Sequence, residues 1–309
     1  MIAPVTGVCP VVAAVFHADG TLDLPGFTRL CEHLCTTGIT SIMIFGVATE
    51  NAKLTDGERE VMLAALLAVR GSRPITVIAT VADHATELAV ARVHRWAAMG
   101  ADVINILPSR FLDPPASEAR DQLRTILNAC PVPAIVQFLP QAGGGLPLTE
   151  ILDLVDECPA LVAVKVEQVP AAPAVELVRS HPAGRLTALV GWGGLEWTES
   201  IDAGAVGVQP GCALTELYLH AQAALDRGDR KAFAAQFAPL RAPLQLWLRH
   251  VEVLIAVEKY ILMRRGIIAD DYCRRPGAVL TADDRAAVPA LIDLCQAGSV
   301  SASAGLAVR

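Results

Sequence analysis

Eight short runs rich in valine and isoleucine, separated by segments of helical periodicity at intervals of about 20–35 residues, predict a (β/α)8 TIM barrel with a small C-terminal helical domain. The runs are continuous rather than alternating, as strands buried on both faces of a parallel sheet must be. The chain has 309 residues, 53% hydrophobic and 18% charged. That suffices for one large core with an appendage and excludes a disordered chain.

Taken in order, strands are expected at 11–16, 41–45, 75–79, 102–107, 134–138, 161–164, 186–190 and 205–208. The helix after the second run opens on Thr55-Asp-Gly-Glu58, a capping box in which each side chain satisfies a backbone N–H of the other residue. It carries Met62, Leu63, Leu66 and Leu67 and stops at Gly71. The next carries Ala89, Val93, Trp96 and Ala97 and ends at Gly100. After residue 224 the alternation ceases. Phe233, Phe237, Leu240, Leu244 and Leu248 form one helical stripe, and Leu254, Ile255, Tyr260 and Ile261 mark a second helix ending near Gly266. A last helix is expected around 286–297, followed by a Ser/Ala/Gly-rich tail that frays. The expected division is a barrel over 1–224, carrying the active site, and a helical extension over 225–309.

The net charge of −7, with no basic run, argues against a nucleic-acid partner. The uncharged stretch from Thr125 to Thr149 is interrupted by Pro131, Pro133, Pro140 and Pro147, so no membrane span is expected. No cationic segment precedes an apolar run at the N-terminus, which points to the cytoplasm. The eight cysteines form no Cys-x-x-Cys pair and read as buried small hydrophobes in a reducing compartment. No His/Cys/Asp/Glu cluster has metal-ligand spacing, and neither a metal nor another cofactor is expected. Gly191-Trp-Gly-Gly194 and Gly143-Gly-Gly145 lack the spacing and the following Lys-Ser/Thr of a phosphate loop.

A barrel's active site lies at the C-terminal ends of its strands. The sixth run continues into Lys165-Val-Glu167. Burying an ammonium without a partner costs free energy and favours the neutral amine, a nucleophile that condenses with ketones. The alternative is a lysine whose stem is buried and whose head reaches water.

These residues, with others in order, resemble the dihydrodipicolinate synthase / N-acetylneuraminate lyase superfamily. The resemblance runs from Gly7-Val-Cys-Pro-Val-Val through Gly46-Val-Ala-Thr-Glu50 and Leu54-Thr-Asp-Gly-Glu-Arg59. It continues through Gly100-Ala-Asp102, Pro131-Val-Pro133, Val164-Lys165 and Gly204-Ala-Val-Gly-Val208 to Glu258-Lys259, Gly266 and Arg275-Pro276. It implies a class I lyase in which Lys165 forms a Schiff base with a 2-oxo acid, pyruvate-type or sugar-derived, in a homotetramer or homodimer. It also implies that the backbone of Gly46, Val47, Ala48 and Thr49 holds the substrate carboxylate, a contact needing no side chain.

The departures are chemical. Gln137 stands where the family has a tyrosine that shuttles protons, and an amide is neither acid nor base near neutrality. Val47 and Ala48 replace hydroxyl residues, Ser109-Arg110 replaces an aromatic pair, and Gln141-Ala-Gly-Gly-Gly145 lacks the arginine of authentic dihydrodipicolinate synthases. The expected activity is therefore aldol cleavage, condensation or dehydration of another 2-oxo acid. A barrel that binds such an acid without efficient turnover is the alternative.

Two residues beyond Lys165 on an extending strand, Glu167 shares its face. It is a candidate to move protons beside the imine, or else simply to pair with the lysine. Arg110 is a candidate for gripping an acidic substrate, with a surface ion pair as the alternative. Gly191, Trp192 and Gln209, after the seventh and eighth strands, are candidate substrate contacts. Glu50 is expected to tie neighbouring loops together and His84 to cap or pack.

Overall fold

A computed structural model describes residues 5–108, 112–140 and 145–296. Eight parallel strands form a nearly closed barrel: β1 (Gly7–Val8), β2 (Ser41–Ile44), β3 (Thr76–Val81), β4 (Val103–Ile106), β5 (Ala134–Phe138), β6 (Leu161–Val166), β7 (Thr187–Val190) and β8 (Gly207–Val208). They pair in the order β1-β8-β7-β6-β5-β4-β3-β2. The alternating helices are α1 (Leu24–Thr36), α2 (Asp56–Arg70), α3 (Thr86–Met99), α4 (Ala116–Ala129), α5 (Leu148–Leu152), α6 (Ala172–Arg179), α7 (Trp197–Asp202) and α8 (Thr215–Asp226). Further helices follow among the described residues: α9 (Arg230–Trp247), α10 (Val251–Arg264) and α11 (Ala282–Ala286), and residues 288–296 are helical too, where a last helix is expected. This is the (β/α)8 architecture with C-terminal helices.

Contacts divide the chain into two compact units. One comprises the chain up to Cys9, Ser41–Phe45 and Thr76–Gln209; the other comprises Pro10–Thr40, Gly46–Ile75 and the chain from Pro210 on. All eight strands belong to the first. Their lateral pairing includes Met43↔Ile78, Thr80↔Asn105, Asn105↔Ile135, Gln137↔Lys165, Lys165↔Leu189 and Leu189↔Gly207. Paired parallel residues share a face, and residues two apart share it too. Met43, Thr80, Asn105, Gln137 and Lys165 therefore all lie on the barrel's inner face. A contact of 3.9 Å between Lys165 Nζ on β6 and Met43 Sδ on β2, which are not neighbouring strands, spans the interior.

The first strand departs from expectation. Residues 11–16 are buried, but β1 is the short pair Gly7–Val8 against β8, followed only by an isolated bridge between Val11 and Gly211. Pro10 and Pro210 lack the N–H groups that a continued ladder requires. The sixth strand is longer than expected and includes Lys165, because β5 and β7 both pair with it there.

In the first unit, α3 buries Ala89, Val93 and Trp96 and ends at a left-handed Gly100, as its pattern predicts. In the second, α2 carries the predicted capping box at Thr55 and Glu58 and stops at Gly71. Helix α9 accommodates Pro239 and Pro243 while burying Phe233, Phe237, Leu240 and Leu244. An interior proline costs about 3 kcal/mol, whereas each fully buried large apolar side chain returns roughly 1.5–3 kcal/mol. The stripe therefore outweighs the breakers.

Candidate active site

Lys165 is the fifth residue of β6 and only 3% exposed. Its Nζ lies 3.3 Å from Glu167 Oε1. An ammonium carries three donors, so one carboxylate and a soft sulfur leave it far from saturated. Glu167 follows the strand directly, and its N–H donates to Phe138 O at 2.9 Å, which keeps the backbone extended and holds both side chains on one face.

The carboxylate of Glu167 is anchored from three sides. Its Oε2 accepts from Gln137 Nε2 at 2.8 Å, and its Oε1 accepts from the Trp192 backbone N–H at 3.2 Å as well as facing Lys165. Gly191, whose N–H donates to Val166 O at 2.8 Å, runs so close that a Cβ there would stand 2.8 Å from the Glu167 carboxyl carbon. Only glycine leaves room. Trp192 holds a left-handed φ of 51°, a conformation that costs a non-glycine residue roughly 1–3 kcal/mol and that aims its N–H at the carboxylate. Beyond Gln137, Asn105 Nδ2 donates to Gln137 Oε1 at 3.0 Å and to Thr80 Oγ1 at 3.2 Å.

Further polar groups lie buried at the ends of β1 and β8. Burial pushes the Cys9 thiol up to about 11, while Ser41, Gln209 and the charge of Lys165 pull the other way, so it stays protonated. Apart from that soft contact with sulfur, neither end of the buried Gln209 amide has a partner among the described residues, and Asn105 Oδ1 has none either. Each such atom costs about 1–3 kcal/mol until a hydrogen-bonding ligand or water meets it.

The turn after β2 belongs to the second unit. Val47–Thr49 form a single 3-10 turn in which Thr49 Oγ1 donates to Val12 O at 2.7 Å. The N–H groups of Val47 and Ala48 have no acceptor among the described residues, as expected for the first turn of a helix. Glu50, with a left-handed φ of 58°, forms an ion pair with Lys259 and accepts from Lys53 Nζ and the Arg274 N–H at 3.1 Å each, tying loops together as anticipated.

Of the residues singled out in the sequence, Lys165, Glu167, Gln137, Gly191 and Trp192 meet in one network, and Gln209 lies on the same barrel lining. Gly46, Val47, Ala48 and Thr49 form the turn just described. Ser109, Arg110 and the glycine-rich segment 141–144 lie outside the described residues. His84 is exposed, and its carbonyl accepts from Gln122 Nε2 at 2.6 Å. Asn105 and Thr80 escaped sequence reasoning. Their signal was a polar residue within an otherwise apolar run. Among the described residues no group of His, Cys, Asp or Glu could hold a metal ion, and no helix is long and apolar enough to cross a membrane.

Residues 4–294 match the profile of the Dihydrodipicolinate synthetase family. Over 163 residues the chain is 29% identical to a 4-hydroxy-tetrahydrodipicolinate synthase of Acidothermus cellulolyticus, covering 53% of this chain and about half (53%) of that relative's length. Over 300 residues it is 25% identical to an L-2-keto-3-deoxyarabonate dehydratase of Azospirillum brasilense, covering 92% of this chain and 93% of that one. Its fold is similar to that of a sialic acid aldolase of Ruminococcus gnavus, with a TM-score of 0.84 at 20% identity over 96% of this chain and 98% of the other.

Proposed function

The chain belongs to the dihydrodipicolinate synthetase family, and from that premise we propose that it is a lyase forming a Schiff base between Lys165 and a 2-oxo acid. The observation that carries this reading is an amine buried inside the barrel, 3.3 Å from a carboxylate that two further donors, Gln137 Nε2 and the Trp192 N–H, hold in place. Glu167 takes a proton from the Lys165 ammonium. The free amine adds to the C2 carbonyl carbon, and the carbinolamine hydroxyl leaves as water, producing an iminium. That cation accepts the electron pair released when the C3–C4 bond breaks in aldol cleavage, the C4 hydroxyl giving its proton to Glu167 as C4 becomes a carbonyl; in dehydration a C3 proton passes to Glu167 and is returned to the C4 hydroxyl, which leaves as water. Glu167 then moves the proton, because Gln137 in the tyrosine's place cannot.

The substrate carboxylate is assigned on the resemblance to the turn of Gly46, Val47, Ala48 and Thr49, with Arg110, Gly191, Trp192 and Gln209 as further substrate contacts. The Gln209 amide, met only by the Cys9 sulfur among the described residues, supports a polar substrate. Authentic dihydrodipicolinate synthase activity is not proposed, because the arginine for a second charged substrate is missing from 141–145. We retain a barrel over 1–224 with a helical extension over 225–309, a homotetramer or homodimer, and a cytoplasmic location as parts of the same reading.

The test is intact-mass spectrometry after incubation with pyruvate and borohydride. An adduct is expected on the native protein and none on Lys165→Ala. No adduct with pyruvate or with larger 2-oxo acids refutes the lyase reading. It would leave a barrel in which Glu167 neutralises Lys165 and the 2-oxo acid is merely bound.

A further inference from the structure

We propose that Asn105 is a positioning residue for this site, acting by fixing which way round the Gln137 amide stands; the proposal rests on the Schiff-base reading above. A carboxylate only accepts hydrogen bonds. Gln137 must therefore present its NH2 to Glu167, which it does at 2.8 Å. Its Oε1 is thereby turned toward Asn105, which in turn must present its own NH2, at 3.0 Å. The second hydrogen of the Asn105 amide goes to Thr80 Oγ1 at 3.2 Å. Polarity thus runs in one direction along β3, β4, β5 and the end of β6, from Asn105 through Gln137 to Glu167. Asn105 is fully buried and Thr80 and Gln137 are 2% exposed, so water does not compete for these bonds.

The consequence falls on Glu167. With Oε2 held by Gln137 and Oε1 held by the Trp192 N–H, the carboxylate keeps Oε1 toward Lys165 Nζ. An amide that cannot move a proton thereby aims a group that can. Replacing Asn105 by aspartate inverts the chain: a carboxylate beside Gln137 Oε1 turns the amide over and sets its oxygen against Glu167. Replacing it by leucine only removes the restraint.

The reaction to follow is exchange of the pyruvate methyl hydrogens in D2O. A C3 proton passes to Glu167, the C–H electron pair becomes the C2=C3 bond of the enamine, and the C=N pair returns to the Lys165 nitrogen. Reversal with a deuteron from solvent labels the methyl group. Asn105→Asp and Asn105→Leu are expected to keep the borohydride-trapped adduct. Asn105→Asp should lose exchange by about 100-fold near neutrality, the scale on which small misplacements act. On acidification the introduced carboxyl gains a proton that it can donate to Gln137 Oε1, so exchange in Asn105→Asp, taken relative to the native protein at the same pH, should recover while that in Asn105→Leu does not. Unchanged exchange in both variants, or an equal loss with one common pH profile, overturns the proposal.

A second measurement needs no substrate. With nitrogen-15 glutamine, the Gln137 side-chain signal, assigned by its loss in Gln137→Ala, should move in Glu167→Gln and move also in Asn105→Asp. A signal that ignores Asn105→Asp overturns the proposal even in a protein that traps no pyruvate. Failure of the native protein to trap pyruvate refutes the lyase reading separately.

Discussion

The protein buries two lysines beside glutamates, and the two pairs are built differently. Lys259 is saturated: it forms an ion pair with Glu50, donates to Tyr272 O at 2.9 Å and lies 4.4 Å from the centre of the Phe16 ring. Its partner Glu50 is equally well met, by Lys53 and the Arg274 N–H. Lys165 has a carboxylate at 3.3 Å and a thioether at 3.9 Å. Here the donors gather on the glutamate, and the amine keeps spare capacity. Burial of a lysine does not by itself mark reactivity. What distinguishes the pairs is which member the surroundings have immobilised.

Substitution of each lysine should separate the two. Lys165→Ala is expected to abolish the pyruvate adduct completely while leaving the protein folded, as judged by its urea midpoint. Lys259→Met is expected to do the converse. Removing one member of a buried pair costs about 3–5 kcal/mol, so the midpoint should fall sharply, yet the remaining folded protein should still trap pyruvate. Equal stability losses in both variants would erase the distinction.

A third buried carboxylate sharpens it. Glu258 has no lysine; its Oε2 accepts from the Ala213 N–H at 2.7 Å. Burial pushes it up to about 7, against the pull of the Ala213 and Cys212 N–H groups and of Arg265. The native protein thus keeps a proton that the unfolded chain releases from about pH 4.5 upward. Its contribution to stability is complete at low pH and is lost as pH rises to about 7, by at most about 3 kcal/mol. Comparing urea midpoints at pH 5 and pH 8, Glu258→Gln should show less of this decline than the native protein. An identical decline in both would assign it to other groups.

The smallest effect is expected on the pair of Lys165 and Glu167. Gly191→Ala drives a methyl group into the space of the Glu167 carboxylate. It should slow pyruvate exchange by about 100-fold, or about 2.7 kcal/mol. Exchange at the native rate would show that the carboxylate need not stand where it does.

Most of the barrel was legible in the chain because a strand buried on both faces needs an uninterrupted apolar run, and because helices announce their ends at Thr55, Gly71 and Gly100. These are local demands, met within a few residues. The exception was β1, where the apolar run 11–16 outlasts the ladder; whether a run pairs depends on N–H groups that Pro10 and Pro210 lack. Lys165 was legible too, as a charge where the strand should have none. What the chain alone left open was the company it keeps. Whether Glu167 only pairs with Lys165 or is also held for proton transfer turns on Gln137, Gly191 and Trp192, which come from other strands and loops. Asn105 gave little warning, since a single amide in an apolar run gains meaning only when the register of β3, β4 and β5 sets it between Thr80 and Gln137. Sequence determines which residues are buried, through hydrophobic periodicity. Tertiary structure decides which polar groups face one another, because a hydrogen bond depends on distances that only the closed sheet supplies.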